Sequence, residues 1–283
     1  MNAVSALVEP IPAPSGPFPG PPFARDELLH EVFAATAEKF PDRGAIRLIH
    51  PNPESPRLNS YTYRELRAQA AKFAHYLRAR GVRRGDRVLV WLPRSLDQYM
   101  TLFGVLEAGA AYVPVDWSIP AERVMYIAEE SEAFAIVTEA ERCKGFPPNV
   151  QAIVIDAEIG KIAAAQPAPL TRAETGSRPD DLAYLIYTSG STVRPEGVMI
   201  RHRNICFQIR SEAAVLGVTA EDRVYAGASL AFDVSVEEMW EPSSMVPSSW
   251  SAPRPSPRPA LISPKRWARR VSPSGAQSPP CSR

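Results

Sequence analysis

Apolar positions between residues 25 and 240 follow two periods. Leu29, Val32, Phe33 and Phe40 recur at helical spacing after Asp26 and before Pro41, which predicts a helix capped by Asp26. Glu65 to Arg80 places Leu66, Ala70, Phe73 and Leu77 on one stripe, with Gly81 past its end, and reads as a strongly amphipathic helix. Leu96 to Ala108, stopped by Gly109, and Pro120 to Glu130 read as two more. Between the helices lie short runs that are apolar at nearly every position. Arg87–Leu92, Ala111–Val115, Ala135–Val137, Ala152–Ile155, Leu182–Tyr187 and Val198–Ile200 are predicted strands, with Ile46–Leu48 and Ser60–Thr62 as shorter ones. Continuous apolar runs suit strands buried on both faces. Their alternation with helices predicts an α/β fold of layered, largely parallel sheets flanked by helices.

The two ends depart from this pattern. Residues 1–24 hold seven prolines and no period, and are expected to be a disordered leader. Residues 241–283 hold ten prolines, eleven serines, seven Lys or Arg and one acid, so this stretch is expected to be a disordered tail. The folded domain is therefore placed at 25–240. The tail carries net +6 and the residues before it net −5, giving +1 overall, so nothing global points to nucleic acid. No run of about 18 apolar residues occurs, which argues against a membrane span. Cys143, Cys206 and Cys281 are scattered, as are His30, His50, His75 and His202, and neither set has metal or redox spacing. No metal site is expected from them. Free thiols without an export signal fit the cytoplasm.

The run Leu182–Tyr187 delivers the chain to Thr188-Ser189-Gly190-Ser191-Thr192, and Val198-Met199-Ile200 follows. Small and hydroxyl residues let backbone N–H groups approach phosphates closely, although the same residues also make plain surface turns. Thr188–Thr192 followed by Arg194-Pro195-Glu196-Gly197-Val198 resembles the phosphate-binding motif of the adenylate-forming enzymes, a superfamily that includes acyl-CoA ligases, luciferases and the adenylation domains of nonribosomal peptide synthetases. Three further segments appear in that family's order. Tyr61-Thr62-Tyr63-Arg64-Glu65-Leu66 is similar to its first core motif, and Leu106 to Asp116 (LEAGAAYVPVD) to its second. Phe232 to Trp240 (FDVSVEEMW) is similar to the start of the amino-acid pocket. The resemblance covers residues 25–240 and favours the amino-acid-activating branch, because acyl-CoA ligases do not usually carry the F-D-x-S element.

The resemblance implies ATP-dependent formation of an aminoacyl adenylate with release of pyrophosphate, then transfer to a phosphopantetheine thiol of a carrier protein or of CoA. It implies ATP and Mg2+ as cofactors. Thr188, Ser189, Gly190, Ser191 and Thr192 would hold the β- and γ-phosphates, and Gly197 would keep the loop exit narrow. Asp233 matches the aspartate that binds the substrate ammonium through a charge-assisted hydrogen bond; on its own it also reads as a capping aspartate. Phe232 either packs near the substrate carboxylate or belongs to the core. Val234 and Glu237 match early specificity positions. A Glu at the second suggests a cationic substrate side chain, since a buried carboxylate needs a partner, and the open alternative is that Glu237 faces solvent beside Glu238. A small amino acid, as in D-alanine–carrier-protein ligases, is the other option within the branch.

Two residues depart from the motif. Val193 stands where the family has glycine, and Glu196 where it has the lysine that faces the polyphosphate. Both would weaken ATP binding. The family's metal-binding glutamate, ribose-binding aspartate and catalytic lysine have no counterpart in this sequence, so no catalytic residue is assigned and this polypeptide is expected to be inactive. A non-catalytic binding fragment is the competing reading. The tail suggests a cause. With GC-rich codons, Val271–Arg283 regrouped by one base reads GVTVWSAVPTLLA, which resembles the next segment of an adenylation domain. A one-base shift near Trp240 is the resulting hypothesis.

Overall fold

The computed structural model describes residues 26–49, 60–188, 195–216, 223–244 and 250–253. The phosphate-loop candidates Ser189–Thr192, together with Val193, lie outside these, as do the 1–24 leader and most of the tail.

Helix α1 (Leu29–Lys39) opens the described chain. Its N-cap is Leu28, not Asp26. The Glu31 carboxylate accepts the Leu28 N–H at 3.0 Å, and Asp26 instead meets Arg172 at 3.3 Å. Strands β1 (Gly44–Ile49) and β2 (Ser60–Thr62) pair antiparallel and lead into α2 (Tyr63–Ala79). The first core motif is the start of that helix. Thr62 Oγ1 accepts the Glu65 N–H at 3.2 Å and Glu65 accepts the Thr62 N–H at 2.8 Å, a reciprocal cap that satisfies two helix-end donors. Helix α2 buries Leu66, Ala70, Phe73 and Leu77, the predicted stripe.

From here strands and helices alternate. Strand β3 (Arg87–Val90), α3 (Leu96–Glu107), β4 (Ala111–Pro114), α4 (Ala121–Glu130), β5 (Ala135–Thr138), β6 (Gln151–Val154) and α5 (Ile155–Ala163) follow in turn. Gly109 ends α3 at φ +88°, a left-handed angle that a side chain resists. Ile155, read as the end of a strand, begins α5 instead. A short α6 (Arg172–Thr175) precedes β7 (Leu182–Thr188), β8 (Glu196–Arg201), α7 (His202–Leu216) and α8 (Val234–Ser244).

The main sheet runs β6-β5-β3-β4-β7-β8. Its first five strands are parallel, and β8 closes the edge antiparallel to β7. The expected largely parallel sheet is what forms. Alternate residues split to two cores, which is why the strands read as unbroken apolar runs. Val88, Val90 and Tyr112 face α1, α2, α3 and α8. Leu89, Trp91 and Val113 face α4 through Val124, Ile127 and Ala128. Helices α2 and α3 pack close because Gly104 has no side chain. A Cβ there would stand 2.8 Å from the Ala70 carbonyl oxygen.

One part of the tail differs from expectation. Trp250–Pro253 form β9, parallel to β1, with Ile46 opposite Trp250 and Leu48 opposite Ala252. Helix α8 also runs to Ser244, past the boundary at 240.

Candidate adenylate-forming site

In a parallel α/β sheet, ligands sit beyond the carboxyl ends of the strands, where connections leave for opposite faces. Strand β3 passes through α3 to β4 on one side. Strand β4 passes through α4 to β5 on the other side of β3. The rim at this switch carries Arg94 after β3, Asp116 after β4 and Thr188 at the end of β7.

Thr188 is exposed and pairs with Glu196 across the β7–β8 ladder. The candidate phosphate loop is thus the connection between these strands. Its described flanks suit a nucleotide in position, at a strand's carboxyl end, but not in charge, because Glu196 is an exposed acid opposite Thr188. Gly197 lies across from Tyr187, and a Cβ there would come within 3.0 Å of the Tyr187 ring. What its small size permits is the seating of that ring, whose hydroxyl bonds the Glu130 carboxylate.

Asp233 stands immediately before α8, and its Oδ1 accepts the Val234 N–H at 2.9 Å. Its carbonyl accepts the Val236 N–H at 2.8 Å. Asp233 thus occupies the position before the first turn of α8, with its side chain on the first helical N–H, while the residue stays exposed. Phe232 is 64% exposed, so it is not core, and Val234 is 45% exposed. Glu237, one helical turn beyond Asp233, is half-buried. The buried side of α8 is Val236, Met239 and Trp240, and Trp240 meets Phe103 with ring centroids 4.4 Å apart.

Tyr184 ties these pieces together. It lies on the same face of β7 as Thr188, four residues earlier, and stacks on Tyr112 at 5.4 Å. Burial raises its phenol first, and the charges of Asp233, Glu212 and Glu237 raise it further. The substrate-side candidates Asp233 and Glu237 and the strand that ends in Thr188 therefore share one region. Glu212, on α7, escaped the sequence reading. One of its carboxylate oxygens is buried without a hydrogen-bond partner, and the other accepts from Gln208 at 3.0 Å. Arg94 and Ser229 escaped as well, and Asp116 was recognised only as part of a motif. The available signal for Arg94 was a charge placed directly behind a buried apolar strand. Among the described residues, no group of three or more His, Cys, Asp or Glu could hold a metal ion, and no helix is long and apolar enough to cross a membrane.

Comparison with known proteins identifies the family. Delta-poly-L-ornithine synthetase of Acinetobacter baumannii is 35% identical over 236 residues, 83% of this chain and 17% of that protein. Tyrocidine synthase 1 of Brevibacillus parabrevis is 35% identical over 224 residues, 77% of this chain and 19% of that protein. The chain thus spans less than a fifth of either relative's length. The AMPPNP-bound crystal structure of a variant of the nonribosomal peptide synthetase FmoA3 superposes with a TM-score of 0.71 and 32% identity, covering 87% of this chain and 24% of that one. The family model described as AMP-binding enzyme matches residues 33–245, which contain every site residue named above, and the chain belongs to that family.

Proposed function

We propose that this chain is the nucleotide- and amino-acid-binding portion of an amino-acid-adenylating unit of the peptide-synthetase type, with a pocket for a cationic side chain. The observation that carries this is the placement of Asp233 and Glu237 one turn apart at the start of α8, with charges that act on Tyr184 of the strand that ends in Thr188. Asp233 would take the substrate ammonium, and Ser189–Thr192 would hold the phosphates of ATP. In that arrangement the substrate carboxylate meets the α-phosphate at the rim of β7. Positioning and charge neutralisation are what such a transfer chiefly needs. The acid at Glu237, together with the charge of Glu212 that also acts on Tyr184, supports a positive side chain, since a cation gains from carboxylates near its site. The relative whose name specifies L-ornithine is consistent with this choice. Mg2+ as the companion ion and a carrier thiol as acceptor belong to the same proposal.

The test is ligand protection of the full chain against thermal unfolding, with ATP and with L-ornithine, L-lysine, L-leucine and glycine as probes. The expected result is protection by ATP and by the two basic amino acids. Asp233→Asn should lose protection by every amino acid, and Glu237→Gln by the basic ones only. Equal protection by leucine would sink the cationic pocket, and no protection by any probe would sink the binding function. The proposed one-base shift near Trp240 is settled separately by sequencing the coding DNA. If the bases after Trp240 encode no adenylation-domain segment in another frame, the shift is wrong.

A further inference from the structure

Residues 226–229 approach the candidate substrate aspartate with little regular structure of their own, yet side chains from three other segments hold them. Arg94, in the loop after β3, donates from both terminal nitrogens, one to the Ala226 carbonyl and one to the Ala228 carbonyl. A planar guanidinium fork can take two acceptors at once, and a lysine ammonium on a flexible stem is far less suited to it. Asp116, after β4, accepts the Ser118 N–H at 2.9 Å and its hydroxyl at 2.6 Å on Oδ1, and the Ser229 hydroxyl on Oδ2. Glu238 of α8 accepts the Ala228 N–H at 2.9 Å.

The hold is passed on by short local bonds. The Ala231 N–H donates to Ser229 Oγ at 3.3 Å and the Phe232 N–H to the Ser229 carbonyl at 3.0 Å. The Phe232 carbonyl then accepts the Ser235 N–H at 3.1 Å and the Ser235 hydroxyl at 2.6 Å. Asp233 sits inside that run. Burial alone would push the Asp116 carboxyl up, but the bonds from Ser118 and Ser229 and the Arg94 charge outweigh it and hold it low. The acceptor therefore stays ionised at neutral pH.

We propose that Arg94 and Asp116 are positioning residues for substrate recognition: by clamping residues 226–229 to the carboxyl ends of β3 and β4, they fix where Asp233 presents its carboxylate. This rests on the reading of Asp233 as the ammonium-binding residue. It goes beyond that reading in assigning the aim of Asp233 to two side chains more than a hundred residues earlier in the chain.

The test uses the full chain in four forms: unaltered, Arg94→Lys, Ser229→Ala and Asp233→Asn. Amide hydrogen exchange is read by mass spectrometry, and affinity for L-ornithine by calorimetry. In Arg94→Lys and Ser229→Ala, exchange at Ala228, Ala231 and Phe232 should rise about tenfold, since one to two hydrogen bonds are lost at roughly 1 kcal/mol each. Exchange in β3, β4 and β5 should not change, and ornithine affinity should fall about tenfold. Unchanged exchange at residues 226–232, or a uniform rise across the sheet, overturns the clamp. A local rise with unaltered affinity, where Asp233→Asn has lost binding, overturns the positioning role. If Asp233→Asn binds ornithine like the unaltered chain, the reading of Asp233 fails and the positioning role falls with it, while the exchange data still show whether the clamp exists. Should Arg94→Lys not fold, Ser229→Ala, which removes only the hydroxyl bonded to Asp116 and to the Ala231 N–H, decides the matter.

Discussion

Replacing Glu107 by Gln should remove a specific pH dependence of stability. Glu107 is the last residue of α3 and is 7% exposed. One of its oxygens accepts the Leu170 N–H at 2.9 Å, and it lines a cavity of about 280 Å3 with His30, Arg67 and Arg172. Burial pushes its carboxyl up to about 7 from 4.5, against the opposing pull of the Leu170 N–H and the Arg67 charge. Between those two values the folded chain keeps a proton that the unfolded chain releases. Glu107 therefore contributes most below pH 4.5, and that contribution is lost as pH rises through 7. The difference corresponds to about 3 kcal/mol. Gln keeps the acceptor for Leu170 and has no charge to bury. Whatever fixed cost its amide nitrogen carries, the stability of Glu107→Gln relative to the unaltered chain should climb by about 3 kcal/mol from pH 4.5 to pH 8. With a urea slope of about 2–3 kcal/mol/M, that is a relative gain of roughly 1 M in unfolding midpoint. Urea titrations of both proteins at pH 5, 6, 7 and 8 measure it. Midpoints that stay a constant distance apart across this range would refute the buried, proton-retaining carboxyl.

Gly104→Ala should destabilise the chain by about 1–3 kcal/mol, because the new Cβ would stand 2.8 Å from the Ala70 carbonyl and 2.9 Å from the Phe73 ring, forcing α2 and α3 apart. A lowered urea midpoint with an unaltered slope is the expected readout. Glu196→Lys should tighten ATP binding, since it replaces an exposed negative charge opposite Thr188 with a positive one. Calorimetry at low and high salt checks this, and the gain should shrink as salt rises. An affinity that does not respond at low salt would remove Glu196 from the phosphate site.

The elements that could be read from sequence were those whose cause is local. The α2 stripe and the stop at Gly109 each depend on residues within about four positions of one another. The strands of the parallel sheet were readable because burial on both faces leaves polar residues only at their ends. The failures share the opposite property. Asp26 has the chemistry of a cap, but Glu31 takes the Leu28 N–H while Arg172, far along the chain, engages both acids. Ile155 is apolar enough for a strand, yet begins α5. The four residues of β9 carry no strand pattern and gain their conformation from the open edge of β1.

The candidate site divides the same way. The sequence by itself determined the α/β order, the family, and the residues Thr188, Asp233 and Glu237 as points to examine, because helix and strand periods and short motifs are written within a few residues. Only the tertiary structure decided that Phe232 is exposed, that Glu196 faces Thr188 and that Arg94 and Asp116 hold the approach to Asp233. Those contacts join residues 113 to 134 positions apart in the clamp, and no local period encodes a pairing across that distance. It exists because the parallel sheet brings the ends of β3, β4 and β7 to one rim.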